Sequence, residues 1–290
     1  MQLKGDLKMK FKIALAQINS ILGEPKKNIE KHLEFIERSI KNNAKVVVFP
    51  ELSITGYLLK DLTYEVAMNK DDNFFNPLKE ASRNIDIIIG FAEKGEDKVI
   101  YNSSMYLSKG EILSVYRKMF PPTHGMFDEL RYFGKGKTLE VFQADYGKVA
   151  VIICRDFFHP SILTVAYANG IDFLFAISNM PLRGLKGEKP QIQETVETAS
   201  SVYTNFFGFF VAYVNRVGFD DGLGFYGGSF IQSPLGKKIS SNKLFEEDLV
   251  IGEVNTEDIY KKRTIFPLVR EEDFYAILKN MKTAIGGEDD

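Results

Sequence analysis

An α/β layered fold is expected from three features of the sequence. These are roughly ten short apolar runs of strand type, helical periodicity between them, and no Pro-, Gly- or Ser-rich linker or internal repeat. Residues 11–18 (FKIALAQI) read as the first strand. Ile29, Leu33, Ile36 and Ile40 then recur at helix spacing with Glu and Lys between them, which places His32 on the side expected to be solvated. Asn42 and Asn43 end that helix, and residues 45–49 (KVVVF) form a buried-type strand stopped by Pro50. Further strands are expected at 85–91, 101–107, 112–116, 148–153, 171–178, 209–215, 229–233 and 249–254. Helices are expected near 73–83, 160–169 and 191–207, with Gly170 placed to cap the second. Ile192, Val196, Ala199, Val202, Tyr203 and Phe206 lie along one face of the third. The chain reads as a single domain over 1–290, with its core at about 11–254 and a C-terminal extension at about 255–290. The closing GGEDD reads as a frayed end.

Composition narrows the function classes. The 290 residues are 44% hydrophobic and 26% charged, an ordinary globular balance. Lys and Arg number 37 against 39 Asp and Glu, a net charge of −2, so no nucleic-acid partner is expected: such binding rests on clustered cations that neutralise phosphates. No membrane partner is expected either, because apolar runs such as 171–177 and 206–214 fall well short of the roughly 20 residues a spanning helix needs. Residues 9–18 mix Lys and Gln among apolar residues and lack a signal-peptide core. The single Cys suits a reducing compartment, so a cytoplasmic location is expected.

Three reactive residues stand at three strand ends: Glu51 after KVVVF and Pro50, Lys118 after ILSVYR, and Cys154 after VAVII. Ligands of α/β sheets bind outside the carboxyl ends of strands. A thiol attacks only as thiolate, so it needs a base or a cation beside it. Glu51 could remove its proton and later protonate a departing amine, and Lys118 could hold an anionic tetrahedral intermediate. Each residue also has an ordinary reading: a buried free Cys, a surface loop acid, a solvated Lys. The case rests on their joint placement. A Cys–His pair competes with it, because His124 (PPTHG) and His159 (FFHP) lie in loops near the candidate site.

These residues resemble the Glu-Lys-Cys set of the nitrilase superfamily of carbon–nitrogen hydrolases. The resemblance runs from about Phe11 to about Val254. IALAQINSILGEPKKNIEKH resembles the opening strand and helix, and VVVFPELSITGY matches the segment carrying the family's Glu, at Glu51. YRKMFPPTHGMFDELRYFGKG matches the Lys segment, at Lys118, and carries a second family glutamate at Glu129. GKVAVIICRDFFHP matches the nucleophile strand, with Cys-x-Asp-x-x-x-Pro running from Cys154 through Asp156 to Pro160. YVNRVG and GGSFIQSPLG resemble later core strands.

The resemblance implies a four-layer α-β-β-α sandwich and a homodimer, or higher homo-oligomer, formed through the helices beside the site. It implies Glu51 as base and acid, Cys154 as nucleophile, Lys118 and the Arg155 N–H as oxyanion donors, and Glu129 as support for Lys118 or the substrate. It implies no metal and no organic cofactor; the partners are a small-molecule amide and water. Ser161 stands where the family usually has Glu after the motif's Pro, and ASSVYTN puts Thr204 where relatives have Glu, with Asn205 kept. Those positions are structural in the family, so packing changes more than chemistry.

Amide hydrolysis is the expected reaction. GMFDELRYF looks like the glutaminase part of glutamine-dependent NAD synthetases more than like true nitrilases, which favours a glutaminase-like amidase acting on a small amide or ω-amide acid. The alternatives are a partner-dependent glutaminase subunit supplying ammonia, an N-carbamoyl hydrolase, a nitrilase, and a binding protein that kept the fold. Arg155 could grip a substrate carboxylate, or could pair with Asp156 or Glu129. Tyr57, Ser178, Asn179 and Arg183 are further candidates to line the pocket.

Overall fold

The computed structural model describes residues 8–187 and 189–286. Residues 287–290, most of the tail read as frayed, lie outside them. Two six-stranded sheets form the centre. In spatial order the first is Asp248–Asn255, Lys10–Gln17, Ala44–Val48, Asp86–Lys94, Ile100–Ser108 and Glu111–Arg117. The second is Lys238–Ser241, Phe230–Gln232, Phe210–Asn215, Phe173–Ser178, Gly147–Ile153 and Val141–Ala144. Each sheet has three parallel strands at its centre and antiparallel strands toward its edges.

Parallel central strands are covered on both faces, so they read as unbroken apolar runs. Alternation then assigns the layers. Ile13, Leu15, Val46, Val48 and Ile88 pack with Val149, Val151 and Phe173 of the second sheet. Ala14, Ala16, Val47, Ile87 and Ile89 pack instead with Phe35 and Ile36 of the helix Pro25–Lys41 and Leu78 of Asn76–Ala81. Helices Pro160–Ala168 and Gln191–Phe207 join the first of these clusters through Ile162, Leu163, Ala166, Val196 and Tyr203. The order is helix, sheet, sheet, helix, the α-β-β-α sandwich that the family resemblance implies. Gly170, at φ +70°, ends Pro160–Ala168 by donating to Tyr167 O while Ile171 donates to Ala166 O. That is the paired geometry of a left-handed glycine cap. No helix among the described residues is long and apolar enough to cross a membrane.

Several expectations need correction. In Pro25–Lys41 the buried face is Asn28, Ile29, His32, Phe35, Ile36 and Ser39, while Ile40 is 37% exposed. His32, expected in solvent, is fully buried, stacked on Phe49 at 4.1 Å. The polar residues on this face bury because each finds a partner: Asn28 bonds Ile21 and Ile54, His32 bonds Asn28 O and Ser53, and Ser39 bonds Phe35 O. In Gln191–Phe207 the buried set is Val196, Ser200, Tyr203 and Thr204, leaving Val202 43% and Phe206 51% exposed. Thr204 donates to Ser200 O at 3.0 Å. The edge strands Val141–Ala144 and Lys238–Ser241 and the hairpin Val217–Asp220/Leu223–Tyr226 were not expected. Beyond Asn255 the extension holds helices Glu257–Ile265, Leu268–Glu271 and Phe274–Ala284.

Burial lowers the His32 pKa from 6.5 to about 4. The unfolded chain therefore binds the proton first as pH falls, and the neutral imidazole's contribution is present above pH 6.5 and lost as pH drops toward 4. Relative to His32→Gln, the wild type should lose about 3 kcal/mol of unfolding free energy across that window. Denaturant titrations of both proteins at several pH values check this; parallel curves would contradict it.

Candidate active site

Glu51 lies in the turn that follows the strand Ala44–Val48. The turn is pinned to the next strand, with Phe49 N–H donating to Ile88 O at 2.9 Å and Ile54 N–H to Gly90 O at 3.0 Å. Leu52 takes φ +45°, a strained value for a branched side chain. The approach is so close that a Cβ on Gly90 would stand 2.3 Å from Leu52 N and 2.9 Å from Glu51 Cα. Lys118 follows the strand Glu111–Arg117 and donates its N–H to Asn102 O at 2.9 Å. A second glycine presses there: Gly136 donates to Lys118 O at 2.8 Å, and a Cβ on it would meet Arg117 O at 2.0 Å. Glu129 opens a short 3-10 turn, Glu129–Arg131.

Cys154 opens the 3-10 turn Cys154–Phe158 at the end of Gly147–Ile153, at φ +47°. Non-glycine residues held in this region cluster at functional sites. Asp156 ties the turn down by accepting from Ile153 N at 3.1 Å, Phe120 N at 2.9 Å and Tyr116 OH at 2.7 Å. One carboxylate thus joins the Cys154 turn to the segment just past Lys118. Burial raises the Asp156 pKa to about 6, with Lys118 and its own donors pulling the other way.

Lys118 Nζ stands 2.7 Å from Glu51 Oε1 and 2.8 Å from both Glu129 oxygens. Its three donors face three carboxylate oxygens. Tyr57 OH donates to Glu129 Oε1 at 2.7 Å. Glu51 also accepts from Asn102 Nδ2 at 2.7 Å and from Asn179 N at 2.8 Å, while Asn179 Nδ2 holds Glu51 O at 2.7 Å. Glu51, Lys118, Glu129, Cys154 and Tyr57 are all buried. Burial opposes the Lys118 charge, yet Glu129 and Glu51 outweigh it and drive its pKa up. Burial and the like charge of Glu51 raise Glu129, against the pull of Lys118. The Cys154 thiol is pushed well up by burial and then by Glu51; Lys118 and Ser178 pull the other way. The Oδ1 atoms of Asn102 and Asn179 are buried without a hydrogen-bond partner among the described residues.

Seven of the nine expected residues meet in this network: Glu51, Lys118, Glu129, Cys154, Tyr57, Ser178 and Asn179. Ser178 accepts from Tyr213 OH at 3.0 Å. Arg155 and Arg183 stand apart. Arg155 makes no ion pair with Asp156 or Glu129 among the described residues; its guanidinium lies 6.0 Å from the Phe158 ring centre. Arg183 is exposed and stacks over Phe127 at 4.8 Å. Neither His124 nor His159 hydrogen-bonds Cys154 among the described residues; His159 stacks on Phe120 at 3.7 Å, and His124 is exposed beside Phe127. Sequence reasoning missed Asn102, Gly90, Gly136 and Ser53. Asn102 and Gly90 show only as a polar and a small residue inside strands, while Ser53 and Gly136 lie in a turn and a loop where such residues carry no signal. No group of three or more His, Cys, Asp or Glu among the described residues is placed to hold a metal.

A buried ammonium between two carboxylates, beside a thiol at the end of a central strand, is suited to nucleophilic acyl chemistry. Comparison with known proteins agrees: residues 12–264 match the Carbon-nitrogen hydrolase family, and the chain belongs to it. It is 30% identical to the glutamine-dependent NAD(+) synthetase of Aquifex aeolicus over 94% of this chain and 47% of that one. The chain thus spans about half the length of the synthetases it matches. A nitrilase of Pyrococcus abyssi is 29% identical over 91% of this chain and 99% of its own. The fold matches a carbon-nitrogen hydrolase of Helicobacter pylori with a TM-score of 0.81 at 23% identity, covering 92% of this chain and 96% of that one.

Two outcomes follow from the geometry. Gly90→Ala forces the Glu51 turn off its strand and should cost about 1–3 kcal/mol in unfolding free energy, by analogy with overpacked cores. Denaturant titration reads it. Alkylation of Cys154 by iodoacetamide should keep rising with pH past 9.0, the ordinary value for a thiol, because the free thiol is held protonated. A rate that levels off below that pH would contradict the burial argument.

Proposed function

We propose that this carbon–nitrogen hydrolase cleaves the amide of a small molecule through a Cys154 thioester, releasing ammonia or an amine. The observation that supports this most is the Lys118 ammonium buried between Glu51 and Glu129, beside a Cys154 thiol in left-handed backbone. Glu51 takes the Sγ proton as sulfur attacks the carbonyl carbon. The carbonyl oxygen becomes an oxyanion stabilised by Lys118 Nζ and the Arg155 N–H. Glu51 then passes the proton to the nitrogen, the C–N bond breaks, and the amine leaves. Water, deprotonated by Glu51, attacks the thioester; the acid departs and the thiol is restored. Glu129 and Tyr57 hold Lys118 charged throughout.

Arg155 and Arg183, which form no ion pair among the described residues, support an ω-amide acid such as glutamine as substrate. A second reading is an ammonia-supplying glutaminase activated by a synthetase partner, supported by the likeness to NAD synthetases over about half their length. Exposed Val165, Val202 and Phe206 on the outer helices support a homo-oligomer, which light scattering would size.

Ammonia release from amides, nitriles and N-carbamoyl compounds tests the reading. Amide turnover is expected, absent in Cys154→Ala and reduced roughly 10³-fold or more in Glu51→Gln and Lys118→Met. Activity surviving in Cys154→Ala overturns it. Silence toward glutamine that ends on adding a synthetase favours the second reading. Arg155→Ala should raise KM for carboxylated amides and spare neutral ones; equal losses on both would remove Arg155 from substrate recognition.

A further inference from the structure

Resting on the proposed role of Glu51 as proton carrier, we infer that His32 and Ser53 form a positioning clamp that fixes the Glu51 turn against the strand Asp86–Lys94. His32 Nδ1 lies 2.7 Å from Asn28 O, and a carbonyl can only accept, so Nδ1 carries the proton. The neutral ring then has a bare Nε2, 2.9 Å from Ser53 Oγ, and Ser53 must donate to it. With its proton committed, Ser53 Oγ is left as an acceptor for Gly90 N–H at 3.3 Å. One directed chain thus runs from Asn28 O through His32 and Ser53 to Gly90. It crosses the chain two residues beyond Glu51, at the glycine whose missing Cβ admits the Glu51 backbone. Phe49, two residues before Glu51, is held by the stack on the same ring. Asn28 adds a third hold through Ile54 O at 2.9 Å. The turn needs such holding because Leu52 at φ +45° favours relaxation. No hydrogen bond among the described residues joins Asn28, His32 or Ser53 to Cys154, so the clamp is taken to act through the Glu51 turn.

The test uses Ser53→Ala, which removes the bridge and keeps the stack, His32→Phe, which keeps a ring and removes both bonds, and His32→Gln, whose carbonyl can accept from Ser53. Turnover on the best amide, melting temperature and the pH profile of Cys154 alkylation are measured for each. A displaced Glu51 costs proton transfer, so Ser53→Ala and His32→Phe should lower kcat about 10–100-fold with KM within about twofold, and His32→Gln should recover most of it. In a Glu51→Gln background Ser53→Ala should cost nothing more, because both act on one group. Lowered melting temperatures with wild-type kcat, or full additivity in the double variant, would overturn the inference and leave His32 a packing residue. If wild type hydrolyses no amide, the proposed function fails by itself. The alkylation profile then decides the clamp: Glu51 raises the thiol's pKa, so the rise should move to lower pH in Ser53→Ala. An unmoved profile would overturn it.

Discussion

Everything near the reactive end of the sheets depends on keeping one ammonium charged where water does not reach. Lys118 is fully buried, and an unpaired charge there would cost several kcal/mol in desolvation. Glu51 alone would balance it numerically. Glu129 adds a second carboxylate that helps hold the Lys proton firmly, while burial and the charge of Glu51 push Glu129 and the neighbouring thiol up. A buried ion cluster is weak evidence for stability, since apolar residues of like volume often do as well. The proposed chemistry gives it a use, since an anion forming on substrate would share Lys118 with groups already in place.

The fold supplies that arrangement by bringing ends of both sheets together. Glu51 and Lys118 come from the first sheet and Cys154 from the second, and Asp156 couples them by accepting from Phe120 as well as Ile153. Two of the turns sit directly under glycines, Gly90 and Gly136, so backbone touches backbone. Backbone contact leaves no side chain to change rotamer, and it fixes the functional groups more tightly than packing alone. The positive φ values at Leu52 and Cys154 are the strain that such fixing sustains.

The sequence carried the architecture wherever burial was two-sided. KVVVF and VAVII are apolar because both faces are covered, and their ends announced Glu51 and Cys154. It failed where one face is wet or where polar groups bury in pairs. Val141–Ala144 and Lys238–Ser241 are half-exposed edge strands with little pattern. The helix Pro25–Lys41 misled because periodicity ranks residues by hydrophobicity, and Asn28, His32 and Ser39 lie inward through hydrogen bonds. Spacing says which way a helix turns; it does not say that His32 will find Ser53.

Those failures fall unevenly across the site. The proposed reacting groups, Glu51, Lys118 and Cys154, were legible as candidates because strand ends and family motifs mark them. The groups that hold them, Asn102, Ser53, Gly90 and His32, were not, because each acts through a partner distant in sequence. Arg155 and Arg183 differ again, since among the described residues they form no ion pair and each lies over an aromatic ring, Phe158 and Phe127. A guanidinium left with a ring and solvent keeps most of its donors free. The network around Lys118 is already closed on itself, with every donor facing a carboxylate oxygen. On the proposed reading, specificity for one substrate over another comes from outside that network, where Arg155 and Arg183 stand.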